Sequence, residues 1–565
     1  MGADAGRTRV PQAPRAGRPD SRRWWALIAI SASVLVVGLD LTVLNLALPV
    51  LSTQLHASTT DLQWFSASYS LVLAAALLPA GLLGDRAGRK KMLLIALAVF
   101  GASSAACAFA GSPGELIAAR AVLGLGAAVI FPMSIAVLPV LFAPDEQPRA
   151  IAAVMGATFI AYPVGPLLGG WLLDNFWWGS VFLINVPVVV VALVAVALLM
   201  PESRGAQRGP GTWIDVPGII LSSLGLTAVT YGCIKAGQNG WGDPATLATI
   251  LAGVAVLAGF VAWERQAGQR GQPLVQLELF RSAAFTWGTI LTTLVSFAMF
   301  GILFAMPQYF QEVRGLNSFA TGLRMLPMIG GMVIGMIGGT RLQTRPKGPD
   351  GAAAGDPPVG PKILVTAGFV VMAASLAVGA TTSAASGSAF TATWFAVAGL
   401  GLGLAMPAAM NAALGALTAE RSGSGSALIT AMRQVGATIG VAVLGTILLS
   451  AYRSQLDLGR LPAAAADAVR TGVAAGIGVA AELHSAALLV SVRAAFAHGL
   501  DVMLAVCAGI AGLSALLALA FLPRRAQAGA RPAGGPGPAA ATGSGAPLAP
   551  AQPDGQDQGH EHARR

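Results

Sequence analysis

Along this chain apolar residues come in blocks of about twenty or more, and the breaks between blocks collect Gly, Pro and basic side chains. About 20 mostly apolar residues in a helix cross the hydrocarbon of a bilayer. Fourteen blocks qualify: residues 25–50, 63–83, 92–111, 115–141, 148–172, 180–200, 216–236, 245–263, 284–307, 320–340, 362–381, 389–415, 424–450 and 499–522. None alternates as a barrel strand does. Lipid offers no partner to open backbone groups, so the pattern predicts fourteen membrane helices. The first block is longer than the 7–15-residue core of a cleaved signal and reads as a retained span. Residues 451–498 read as a long loop. The end of the chain, rich in Pro, Gly and Ala without periodicity, reads as a disordered tail.

Composition agrees with the blocks. Of 565 residues 55% are hydrophobic and 11% charged, at a mean hydropathy of +0.69. An ordinary soluble domain carries about 25% charge. The net charge of +10 lies in short clusters between apolar runs, which suits a membrane protein better than a nucleic-acid binder. Counted with both ends inside, and with Arg149, Lys362 and Lys235 at block ends given to the adjoining segments, 21 Lys and Arg fall on inward segments and 6 on outward ones. That asymmetry predicts cytoplasmic termini. The cysteines (Cys107, Cys233, Cys507) lie inside apolar blocks with no C-x-x-C pair, and the histidines are scattered; no metal site or disulfide framework is expected.

A weak repeat runs through the blocks. Gly124, Gly126 and Pro132 in block 4 recur as Gly399, Gly401 and Pro407 in block 12, and Gly165 and Gly169 in block 5 as Gly436 and Gly440 in block 13. The repeat predicts two six-helix halves with blocks 7 and 8 inserted. Parallel repeats with a site between them near the midplane typify secondary transporters.

Charge inside the blocks is scarce and therefore informative. Asp40 lies about 24 Å along its helix from Trp24 at 1.5 Å per residue, well inside the membrane. An intramembrane carboxylate is tolerated if it faces water, pairs with a cation or holds a proton. Arg120 in block 4 is its natural partner from the same half. Burial favours the neutral acid and a nearby cation favours the carboxylate; the two effects oppose one another and poise Asp40 to load and release a proton. No G-x4-G-K-[ST] sequence is present, so no phosphate-binding loop for ATP is expected.

Several strings resemble one family. Gly81-Leu82-Leu83-Gly84-Asp85-Arg86-Ala87-Gly88-Arg89-Lys90-Lys91 resembles the signature loop of the major facilitator superfamily. There the aspartate latches the halves by contacting a helix end in the other half, here near Ser422 to Gly425. Asp40-Leu41-Thr42-Val43-Leu44-Asn45-Leu46-Ala47-Leu48-Pro49 resembles the first-span motif of the fourteen-span drug:proton antiporters. Arg120 to Gly126 resembles R-x-x-Q-G-x-G, with Leu123 in place of the glutamine, and that resemblance links Arg120 to proton transfer. Gly165-Pro166-Leu167-Leu168-Gly169-Gly170 resembles the antiporter motif, which marks exporters. Shorter matches at Asp215-Val216-Pro217-Gly218, Met306-Pro307-Gln308-Tyr309-Phe310-Gln311 and Arg433-Gln434-Val435-Gly436 extend the resemblance over about residues 24–522.

The expectation is an all-α integral membrane protein of the major facilitator fold, with two six-helix bundles and two inserted helices. Residues 1–23 form a basic N-terminus, 24–200 the first bundle, 201–263 the linker with helices 7 and 8, 264–522 the second bundle and 523–565 the tail. It exports small lipophilic drugs or antibiotics in exchange for protons, without cofactor, ATP or metal, as a monomer among membrane lipids of a bacterial cytoplasmic membrane. Asp40 and Arg120 couple the proton. Gly81, Gly84, Asp85, Arg86, Gly88, Arg89 and Lys90 form the latch. Asn45, Tyr69, Phe297, Gln308, Gln311 and Arg433 are candidates for the substrate cavity. One deep carboxylate against three arginines in spans favours neutral or weakly acidic aromatic substrates. An importer of the same fold is the alternative; an enzyme or a purely structural protein fits the residues less well.

Overall fold

The computed structural model describes residues 21–143, 146–203, 215–269, 274–344, 358–417, 422–458 and 461–523. Fourteen helices there are long and apolar enough to cross a membrane. They are α1 (Ser21–Gln54), α2 (Thr59–Ala87), α3 (Arg89–Ala108), α4 (Pro113–Ala136), α5 (Gln147–Asn175), α6 (Asn185–Leu199, continuing from Ser180–Leu183), α7 (Val216–Asn239), α8 (Pro244–Gln269), α9 (Ala283–Gln308), α10 (Ser318–Gln343), α11 (Pro361–Gly379), α12 (Ser388–Leu414), α13 (Ser422–Ser454) and α14 (Ala486–Phe521). An even number of crossings returns the chain to the side of Ser21, called proximal below; the other side is distal. Expected tail residues beyond 523 and the N-terminus up to residue 20 lie outside the described residues.

Helix starts follow local chemistry. Asp61 and Ser58 cap α2 reciprocally, and the Ser112, Asn317 and Ser485 side chains accept backbone N–H groups at the starts of α4, α10 and α14. Each satisfies an orphan donor of the first turn. The α2–α3 turn pivots on Gly88 at φ +108, a conformation only glycine adopts cheaply.

The packing repeats as the glycines do. α4 lies on α2 and α3 and α1 on α5 and α6; α12 lies on α10 and α11 and α9 on α13 and α14. A methyl on Gly124 would stand 2.5 Å from the Tyr69 carbonyl of α2, and one on Gly399 would strike the Met328 carbonyl of α10. The recurring glycine is thus one close backbone approach built twice. The two six-helix bundles meet where α2 packs on α13, α5 on α10 and α1 on α9. α7 lies beside α2 and α13, with α8 outside it and mostly exposed.

Two expectations are corrected. α14 begins at Ala486, thirteen residues before the block starting at 499, because Ser485 caps it. The stretch 451–498 is accordingly not a plain loop: α13 runs into it to Ser454, and helices Ala463–Thr471 and Val473–Glu482 follow. The polar side chains of Arg493 and His498 hid the start of that last span from a hydropathy reading.

Candidate functional site

Asp40 of α1 and Arg120 of α4 meet in the first bundle. Nη1 of the guanidinium donates to Oδ2 at 2.5 Å, and both side chains are 1% exposed. Arg120 Nε donates to the Phe65 carbonyl at 3.1 Å. The Tyr69 ring lies under the guanidinium at 4.6 Å and the Phe182 ring at 6.0 Å. Salt bridge, carbonyl and aromatic faces thus surround the cation, which is how an intramembrane arginine is made tolerable. Leu123, standing where the family has glutamine, is buried. Asp40 in the ionised form suits this arrangement. Neutralising Asp40 would leave Arg120 without a counter-ion.

The cavity candidates do not share one chamber. Tyr69 is fully buried in the ion-pair cluster with its hydroxyl unpartnered. Asn45 donates back to the Leu41 carbonyl of its own helix. Phe297 packs beneath Gly440 of α13. Gln308 donates to the Phe304 carbonyl and borders a small distal void. Gln311, in a π-turn at Tyr309–Val313, crosses between bundles to the Leu46 carbonyl at 2.9 Å. Arg433 of α13 interacts with the Tyr162 hydroxyl of α5, and its Nε is buried without a hydrogen-bond partner. Among the described residues no carboxylate forms an ion pair with Arg433.

The antiporter motif occupies the contact between bundles. Methyls on Gly165 and Gly169 would strike Thr42 and Val43 of α1; one on Gly170 would stand 2.7 Å from the Phe319 Cα of α10. Pro166 bears with its carbonyl on Gly322 of α10. α5 is therefore held between α1 and α10 at near backbone contact.

The signature loop bonds within the first bundle. Arg89 donates to the Ala136 carbonyl at 2.7 Å and Lys90 Nζ to the Ala197 carbonyl at 2.7 Å. A methyl on Gly84 would strike the Met133 side chain. Gly81 borders a proximal cavity of about 630 Å³, and Arg86 is exposed. The Asp85 and Ser422 side chains lie outside what is described, so the latch contact expected between those helix ends does too.

That proximal cavity is walled by both bundles: Leu77, Gly81 and Met133 on one side, Leu414, Leu428 and Thr430 on the other. The distal void between Pro49, Ser52, Gln308 and Glu312 holds only about 10 Å³. The bundles are thus parted proximally and closed distally.

A residue that the sequence reading missed holds the distal closure. Asp174, at the end of α5, accepts the Ser318 N–H at 2.9 Å and the Phe319 N–H at 3.0 Å, the first amides of α10. Its partners are backbone groups, which carry no residue-type signal. Its position one turn beyond Gly170 was the available clue.

A sealed ion pair in one bundle, two bundles parted at one end, and an interface of glycine contacts describe an alternating-access carrier. The model of the Major Facilitator Superfamily matches residues 30–441, and the chain belongs to that family. It is 33% identical over 555 residues to the tetracenomycin C resistance and export protein of Streptomyces glaucescens, covering 96% of this chain and 98% of that one. It is 32% identical to the multidrug efflux pump LfrA of Mycolicibacterium smegmatis, covering 87% and 95%. Among solved structures it resembles a bacterial homolog of the human lysosomal transporter Spinster in its inward-facing, occupied form. The TM-score is 0.66 at 14% identity, over 91% of this chain and 100% of that one.

Proposed function

We propose that this chain is a proton-coupled exporter of small lipophilic antibiotics in a bacterial cytoplasmic membrane, its proximal side facing the cytoplasm. The observation that carries the reading is the sealed Asp40–Arg120 pair. The export and resistance functions named for the relatives support its direction. The two six-helix bundles rock about the cavity, and α7 lies beside the seam.

Asp40 carries the proton and Arg120 reports it. With Asp40 ionised the pair is closed and the bundle is rigid there. A proton arriving from the distal side neutralises Asp40, releases Arg120 and shifts the balance between the two ends. Substrate enters through the proximal cavity. Arg433, a buried cation within a span and with no carboxylate on it among the described residues, favours neutral or weakly acidic aromatic molecules. The chain acts without cofactor or ATP, and the membrane potential component of the proton gradient supplies about 2.3 kcal/mol per charge per 100 mV.

Growth of an efflux-deficient strain expressing the protein on a panel of lipophilic antibiotics tests the reading. Raised resistance that collapses with a protonophore is expected. Resistance unchanged for every compound, with the protein present in the membrane, overturns it.

A further inference from the structure

Far from Asp40, at the proximal ends of the inserted helices, two carboxyl groups face each other. Asp215 caps α7: its Oδ1 accepts the Gly218 N–H at 3.0 Å and the Trp263 indole N–H at 2.8 Å. Glu264, near the end of α8, is 1% exposed, and its Oε2 accepts the Val275 N–H at 3.0 Å. The remaining oxygens, Asp215 Oδ2 and Glu264 Oε1, are both buried with no N–H or O–H donor. They converge over Gly218, where an added methyl would strike the first and stand 2.8 Å from the second. The two carboxyls are thus close enough to act on one another.

Two buried carboxylates that converge on one point disfavour joint ionisation unless a cation joins them. Asp215 is the charged side chain acting on Glu264 at close range. Arg265 of α8 and Glu278 and Arg281 of the following linker border an adjoining crevice. Arg86 lies in the last turn of α2, and α13 brings Arg433 within its apolar span. None of these forms an ion pair with Asp215 or Glu264 among the described residues. One proton closes the account of donors: an O–H on one orphan oxygen donates to the other and satisfies both.

We propose that Asp215 and Glu264 form a second proton site, separate from Asp40, whose shared proton clasps the segment from Val275 to Leu279 at the proximal mouth. That segment is what gives the site a consequence. Glu264 holds Val275, and Val275, Gln276 and Leu279 line the proximal cavity together with Leu78 of α2 and Leu428 of α13. Loss of the proton sets two carboxylates against each other over Gly218 and drives Glu264, with the Val275 that it still holds, away from Asp215. The mouth then loosens as cytoplasmic pH rises.

The test is pH-dependent labelling of Gln276→Cys by a charged thiol reagent in the full-length protein in nanodiscs. The reference is the same cysteine in a Glu264→Gln background, where the amide mimics the proton and removes the titration; the ratio cancels the pH dependence of the thiol. The ratio is expected to rise with pH by up to about tenfold per unit, the slope of one proton. It should persist in Asp40→Asn and disappear in Asp215→Asn. Infrared difference spectra should show one protonated carboxyl fewer in Glu264→Gln. A flat ratio overturns the proposal, as does a response that needs sodium or vanishes with Asp40→Asn.

Discussion

Replacing Asp174 with alanine removes both acceptors from the first two amides of α10. A carboxylate at a helix N-terminus is worth about 0.3–1 kcal/mol at an exposed site, and a net hydrogen bond about 0.5–1.5 kcal/mol. Asp174 is exposed, so solvent screens the pair and the low ends of both ranges apply. A loss of about 1 kcal/mol moves a two-state equilibrium about fivefold. The contact joins the two bundles only where they are closed distally, so the loss falls on the proximally open state and populates the distally open one. Ser52 lines the distal void, and the three native cysteines are buried. Labelling of Ser52→Cys in intact cells by a membrane-impermeant maleimide should therefore rise about fivefold in Asp174→Ala. Gly322→Leu, which strikes the Pro166 carbonyl, serves as the positive control. Unchanged labelling in Asp174→Ala, with the control raised, refutes the reasoning.

Three further outcomes follow from the geometry. Arg120→Ala leaves Asp40 buried without its counter-ion and should destabilise the ionised protein by about 3–5 kcal/mol; thermal unfolding in detergent should show that loss at neutral pH, and less of it in the Asp40→Asn, Arg120→Ala double variant. Gly124→Ala and Gly399→Ala each press a methyl on a helix backbone and should cost about 1–3 kcal/mol; matching drops in unfolding midpoint would be seen if the repeat is structural. Arg433→Ala should lower transport of weakly acidic aromatic compounds more than that of neutral ones, read as the ratio of initial rates in vesicles.

The sequence revealed the features that depend on residue type. Asp40 and Arg120 stood out because charge is rare inside apolar blocks, and they pair as that scarcity implied. The recurring Gly124 and Gly399 were legible because a missing side chain is itself a signal. Features that depend on backbone or on distant pairing were hidden. Asp174 looked like an ordinary polar helix end, since it bonds to amides that every residue carries. Asp215 was visible in its motif, but Glu264 lies 49 positions on at a polar helix end and gave no sign of facing it. The cavity candidates scattered because Asn45 and Gln308 bond to their own helices, which polarity along a chain does not reveal.

Asp40 as proton carrier is the central claim, and substrate accumulation in inside-out vesicles tests it most directly. With an inward-acid gradient, wild type should accumulate a lipophilic antibiotic, and Asp40→Asn at equal expression should not. Equal accumulation by both would contradict the account and leave Asp40 a structural partner of Arg120.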